Sequence, residues 1–215
     1  PYRIYSGLSF YQRKEIKDLM AYFRFIINNN DEEALLRIIN VPARSIGKTS
    51  LDKVIAYAIS SKLSLWEVIA NINAHKDKID INNGVANRIN DFATMITQLA
   101  EQQDTLNAYE LADNILNQTG YLFMLQTSKE PDADVRLENV EELINGVQNF
   151  VNVATEENEE LQIPKLSDFL LEVSLLTDND TDDENDMNRV LLMTAHASKG
   201  LEFPVVVVSS LDKQY

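Results

Sequence analysis

Apolar residues recur at three- and four-residue intervals through most of the chain, the signature of helices with one buried face. Ile16, Leu19, Met20, Phe23 and Ile27 form one stripe, and Leu51, Val54, Ile55, Ala58 and Ile59 form a second. Val85, Ile89, Phe92, Ile96 and Leu99 predict a long helix, as do Val140, Leu143, Ile144, Val147 and Phe150. Start signals agree with the stripes. Ser64 with Glu67, and Asn107 with Glu110, are spaced as capping boxes. Leu111 and Ile115 continue the second of these helices, and Gly120 is placed to end it. Trp66 and Phe169 fall within such stripes and are read as core.

The two ends of the chain break this period. "YRIY" (2–5) is a short β-rich run, while "RVLLMT" (189–194) and "VVVVSS" (205–210) read as buried strands separated by a turn and helix. "TDNDTDDEND" (177–186) is acidic and lacks an apolar anchor, so it reads as a solvated linker. It is not an EF-hand loop, because Asp183 and Arg189 stand where a loop starting at Asp178 needs glycine and glutamate. The order β-rich, helical, β-rich predicts one α/β unit interrupted by a helical insertion of about 150 residues.

Composition narrows the function classes. A hydrophobic share of 45% and a charged share of 25% are those of an ordinary globular protein. With no cysteine there is no disulfide, thiolate ligand or cysteine nucleophile, which suits a reducing, cytoplasmic setting. With only two histidines besides, the cysteine and histidine sets of the usual zinc sites are not available, and no zinc is expected. His75, in "NAHKDK", is expected to be exposed. No apolar run reaches the roughly 18–20 residues of a membrane span, so no membrane partner is expected. The chain opens at Pro1, and its last apolar run stops close to Tyr215, which suggests a piece of a longer protein.

The net charge of −15 speaks against nucleic acid until its distribution is examined. Residues 1–62 carry ten Lys/Arg against six Asp/Glu, whereas residues 100–189 carry four against twenty-two. One end can therefore offer a basic face while the other repels phosphate.

That basic end contains "VPARSIGKTSLDKV" (41–54). Gly47-Lys48-Thr49-Ser50 resembles the tail of a P-loop, and the preceding "LLRIIN" passes for a strand. A P-loop needs a further glycine where this chain has Pro42, which has no N–H to donate, so an ATP site is excluded here. Another phosphate suits the residues better. Thr49 or Ser50 is a reasonable N-cap for a helix from about Leu51, whose first amides would point outward with the positive end of the helix dipole. Gly47 lets a backbone approach closely, and a β-branched residue there is expected to obstruct it and strain the turn. Arg44 and Lys48 flank the turn as full charges. The arrangement suits a nucleic-acid backbone phosphate held without sequence readout. A plain connection between helices with two solvated cations remains the alternative.

"VLLMTAHASKGLEFPVVVV" (190–208) is more specific. A strand ends at Thr194, and His196, Lys199, Gly200 and Glu202 crowd the following loop, where ligands bind in open α/β sheets. This stretch closely resembles motif V of superfamily 1 DNA helicases of the UvrD/PcrA/Rep type. "GLSFYQRKEIKDLMAYFRFI" (7–26) is similar to the segment after motif IV in that family, and "LRIINVPARSIGKTSLDK" (36–53) to its "GIG" loop.

The resemblance implies a mostly α chain, in which a helical accessory domain (2B) is inserted into an incomplete α/β RecA-like domain (2A). Residues 1–27 and 186–215 would belong to 2A, and 28–185 to 2B ending in the acidic linker. It also implies a 3′-to-5′ ATP-dependent DNA helicase acting in repair or replication, with 2B touching duplex DNA and regulating unwinding. Glu202 matches the position that accepts from the nucleotide ribose, and Lys199 and Gly200 match the coupling positions. His196, Thr194 and Arg13 match positions along single-stranded DNA. Arg44, Ser45, Ile46, Gly47, Lys48 and Thr49 match the duplex loop, with Ser45 replacing the first glycine of "GIG".

Walker A, Walker B and motif VI are missing from the chain, so it is expected to be inactive alone. ATP and Mg²⁺ are expected in the complete parent and none bound here. Domains 1A, 1B and the remainder of 2A would be further partners. A helicase subunit of an AddAB/RecBCD-like helicase–nuclease, or an acidic helical protein-interaction module, are the alternatives.

Overall fold

A computed structural model describes residues 2–4, 7–157, 163–179, 190–192 and 203–208. In chain order these form β1 (Tyr2–Ile4), α1 (Gly7–Gln12), α2 (Lys14–Ile27), α3 (Glu32–Ile38), α4 (Lys48–Ser61), α5 (Leu65–Ala70) and α6 (Ile72–Ile79). There follow α7 (Asn83–Ala100), α8 (Ala108–Gln118), α9 (Tyr121–Gln126), α10 (Ala133–Glu157), α11 (Leu166–Asn179) and β2 (Val190–Leu192).

Helix α2 organises the rest. Ile16, Leu19, Tyr22, Phe23 and Phe25 are each 0% exposed, so apolar side chains cover most of its circumference. A helix apolar over so wide an arc must be covered by several partners. Helices α3, α7, α8, α10 and α11 all pack against it. Each fully buried Phe, Ile or Leu contributes about 1.5–3 kcal/mol relative to exposure, which makes α2 the centre of the core.

The capping signals are realised. Ser64 accepts from the Glu67 amide at 3.1 Å while Glu67 accepts from the Ser64 amide at 2.7 Å. Asn107 and Glu110 make the same reciprocal pair at 2.9 and 3.0 Å. Gly120, just past α8, has φ +76°, a left-handed conformation that glycine adopts without penalty. Phe169 is buried, and Trp66 is half-buried with its ring edge-on to Phe25.

β1 and β2 pair in parallel, with Tyr2 opposite Val190 and Ile4 opposite Leu192. The pairing joins the two ends of the chain around the helical block.

Several expectations need correction. "LLRIIN" is helical through Ile38, not a strand, because Asp31 caps the Ala34 amide and Glu32 and Glu33 occupy the positive end of α3. α4 starts ahead of the expected cap at Thr49 or Ser50, with Gly47 as N-cap and no side-chain cap. Ile59 lies outside its stripe's buried face at 74% exposure. His75 is half-buried, its Nδ1 3.1 Å from the Tyr57 hydroxyl. Residues 177–179 of the expected linker continue α11, and 180–186 lie outside the described residues. Val205–Val208 form no strand and are 64–88% exposed, since no described strand lies beside them to supply ladder partners.

Candidate nucleic-acid interface

Between α3 and α4 the chain makes a tight turn tied by one side chain. The Asn40 Oδ1 accepts from the Arg44 amide at 2.8 Å and the Ile46 amide at 3.3 Å. Ile46 is buried in the core at 3% exposure. Ser45, between the two inward-going residues, is exposed and has φ +56°. That is the left-handed region, where a Cβ costs about 1 kcal/mol and glycine is favoured. The special backbone position is therefore 45. Gly47 has φ −66° and ψ 146°, and an added Cβ would meet nothing within 4 Å. The expectation that a β-branched residue at 47 strains the turn is corrected accordingly.

Arg44 is a second correction. It does not flank the turn as a free cation. Its Nη1 donates to the carbonyls of Ile38 at 3.0 Å, Pro42 at 3.2 Å and Ile39 at 3.4 Å. Its Nη2 donates to the Tyr22 hydroxyl at 2.8 Å and the Thr119 carbonyl at 3.3 Å. The guanidinium lies over the Phe92 ring, 5.0 Å from its centre. Tyr22 in turn donates to the Val41 carbonyl. Burial pushes the Tyr22 phenol up to about 12, against the opposing pull of Arg44.

The outer rim is different. Ser45, Gly47, Lys48 and Thr49 are exposed, and Lys48 has no ion pair among the described residues. Farther along α4, Lys53 is occupied by the Asp80 carboxylate at 2.9 Å and the Asp80 carbonyl at 2.8 Å. The first turn of α4 keeps unpaired donors, as every helix start does, and has no side chain to cap them. A positive helix end, one open lysine and the exposed residues Ser45 and Thr49 thus share one rim.

A second polar cluster lies behind the turn. Asp18, 3% exposed, accepts from Arg37 Nε at 2.8 Å and from the Tyr121 hydroxyl at 3.0 Å. Glu15 accepts from Asn139 Nδ2 at 2.6 Å, and Asn139 accepts from Arg13 Nη1. Burial, with the neighbouring Asp18 and Glu15 carboxylates, pushes the Tyr121 phenol well above the usual range. Arg13, also 5.4 Å from the Phe10 ring centre, is engaged within the fold. Thr194, His196, Lys199, Gly200 and Glu202 lie outside the described residues. Among the described residues no cluster of carboxylates and histidines could hold a metal ion.

The sequence profile of the UvrD-like helicase C-terminal domain matches residues 1–215. This chain belongs to that family. It is 37% identical over 213 residues to "ATP-dependent DNA helicase PcrA" of Staphylococcus epidermidis, and equally to the protein of that name from Staphylococcus aureus. Each match covers 99% of this chain and 28% of the relative, so the chain spans little more than a quarter of the relatives' length. Within the turn between α3 and α4, sequence reasoning missed Asn40, Tyr22, Phe92 and Thr119. Tyr22 offered a faint signal, being a phenol within the apolar run Leu19–Phe23 of α2. Thr119 offered none, because its part is played by a backbone carbonyl.

Proposed function

We propose that this chain is the 2B domain, residues 28–185, with flanking 2A segments 1–27 and 186–215, of a 3′-to-5′ ATP-dependent DNA helicase acting in repair or replication. In this reading, the rim Ser45–Thr49 holds a phosphate of duplex DNA. The observation that carries it is the uncapped N-terminal turn of α4 with Lys48 open to solvent. Arg44 is withdrawn from direct contact, so Lys48 supplies the full charge and the backbone amides the remaining donors. Parallel pairing of β1 with β2 supports an insertion that leaves one sheet and returns to it. Because α2 is central to the helical core, the boundary at 27 marks a change of resemblance rather than a gap in packing.

ATP and Mg²⁺ belong to the complete helicase in this reading. Glu202, Lys199 and Gly200 would face the nucleotide, and Thr194, His196 and Arg13 the single-stranded DNA. Glu202→Ala in the complete protein should weaken nucleotide binding by about 1.5–3 kcal/mol, as loss of a charged hydrogen bond does. Unaltered nucleotide affinity by calorimetry would remove Glu202 from that site.

The duplex reading is tested by titrating the chain with short duplexes at several salt concentrations. One neutralised phosphate contributes about 0.9 to the slope of log affinity against log salt. Lys48→Ala should lower that slope by about 1 and weaken all duplex sequences alike. Absence of any salt-dependent duplex affinity would instead favour an acidic protein-interaction module.

A further inference from the structure

We infer that Arg44 is the positioning residue of the duplex-facing turn: it shapes residues 45–49 from behind without touching the ligand. The inference rests on the phosphate-binding reading above and adds to it the origin of the rim's geometry.

A half-buried guanidinium usually faces a carboxylate. Among the described residues, none pairs with Arg44. Its acceptors have another origin. Ile38 is the last residue of α3, Ile39 is its C-cap, and Thr119 is the C-cap of α8. The carbonyls at helix C-termini lack intrahelical donors and carry the negative end of the dipole. Arg44 therefore sits between two such ends and donates to both, joining the Val41 amide on the Ile38 carbonyl, with Phe92 of α7 beneath it. Only a planar fork with donors along several directions reaches α3, α8 and Tyr22 together, whereas a lysine presents one compact ammonium.

The consequence falls on the neighbouring residues. The Arg44 amide and the Ile46 amide share Asn40 as acceptor, and Ile46 is locked in the core. With residue 44 held inward by its guanidinium and 46 by its side chain, Ser45 is forced outward at φ +56°. Gly47 and Lys48 then follow at the mouth of α4. Releasing Arg44 frees the strained residue to relax, and the rim loses its shape although it keeps Lys48.

The experiment measures duplex affinity of the chain by fluorescence anisotropy for Lys48→Ala, Arg44→Lys, their combination and Tyr22→Phe. Circular dichroism and melting report on folding. Arg44→Lys keeps the charge, so a direct phosphate contact would largely survive it. The expected result is a loss at least as large as that of Lys48→Ala, roughly 3- to 10-fold, with the double variant weaker by less than the product of the single losses. Wild-type affinity in Arg44→Lys, or losses that multiply, would overturn the positioning role. If Lys48→Ala alone binds as wild type, the phosphate reading falls and takes this inference with it. If Arg44→Lys fails to fold, Tyr22→Phe decides. It removes the hydroxyl joining Arg44 to Val41, and should weaken duplex binding with the fold intact; unchanged binding then rejects the proposal.

Discussion

The turn between α3 and α4 and the carboxylate junction of Glu15 and Asp18 are both polar and both lean on α2, yet they are built to opposite ends. At the junction the acceptors lie inside the fold: Arg37 and Tyr121 donate to Asp18, Asn139 to Glu15 and Arg13 to Asn139. At the turn only the inner side is closed, through Arg44, while the rim from Ser45 to Thr49 faces solvent. Charge by itself does not mark a binding surface. A closed network specifies the fold, and an open one beside a helix start has donors left to offer a ligand.

The largest effect should come from the closed side. Asp18→Ala strands the buried Tyr121 hydroxyl and removes the partner of Arg37, costing about 2–4 kcal/mol in urea unfolding. A cost under about 0.5 kcal/mol, the range of an ordinary surface change, would place the junction among surface polar contacts. Alkaline pH comes next. Tyr22 is held neutral, with its pKa raised from 10.0 to about 12 in the fold. Its contribution is fully present below pH ~10 and is lost as pH rises through about 12, on the order of 1–3 kcal/mol. Tyr22→Phe should flatten this part of the pH–stability curve, and an unaltered curve would assign the alkaline loss to other groups.

Ser45→Gly should stabilise the chain by about 1 kcal/mol, since glycine accepts φ +56° without a Cβ penalty. Melting temperature reads this directly, and duplex affinity should not fall. The smallest effect on stability belongs to Gly47→Val, within about 0.5 kcal/mol, because the backbone there is extended and the space open. Its duplex affinity should nevertheless drop, as the added side chain stands where a phosphate would approach. A variant that melted early but bound normally would invert the comparison between the two regions.

Much of the helical block was legible along the chain. The α2, α7 and α10 stripes, both capping boxes and the turn at Gly120 arise from local periodicity and local donors. Ile59 and "LLRIIN" were not legible, for a shared reason. Apolar residues show that something is to be buried, but packing decides which face wins and whether a short run is helix or strand. Strand character at Tyr2–Ile4 and Val190–Leu192 was readable along the chain; their parallel register of Tyr2 with Val190 was not.

The turn shows the same division most sharply. Residue order alone excluded a P-loop, through Pro42, and located a basic turn ahead of a helix, because backbone chemistry at these positions is local. It also placed Arg44 and Lys48 together as equivalent cations. Tertiary structure separated them. Arg44 is drawn toward the carbonyls at the C-terminal ends of α3 and α8, and those ends meet only when α2 brings both helices to one place. Lys48, four residues on, has no such neighbour among the described residues and stays at the rim. The identity of a charge is written in the chain, but whether it serves the fold or a ligand depends on which acceptors distant segments bring within reach.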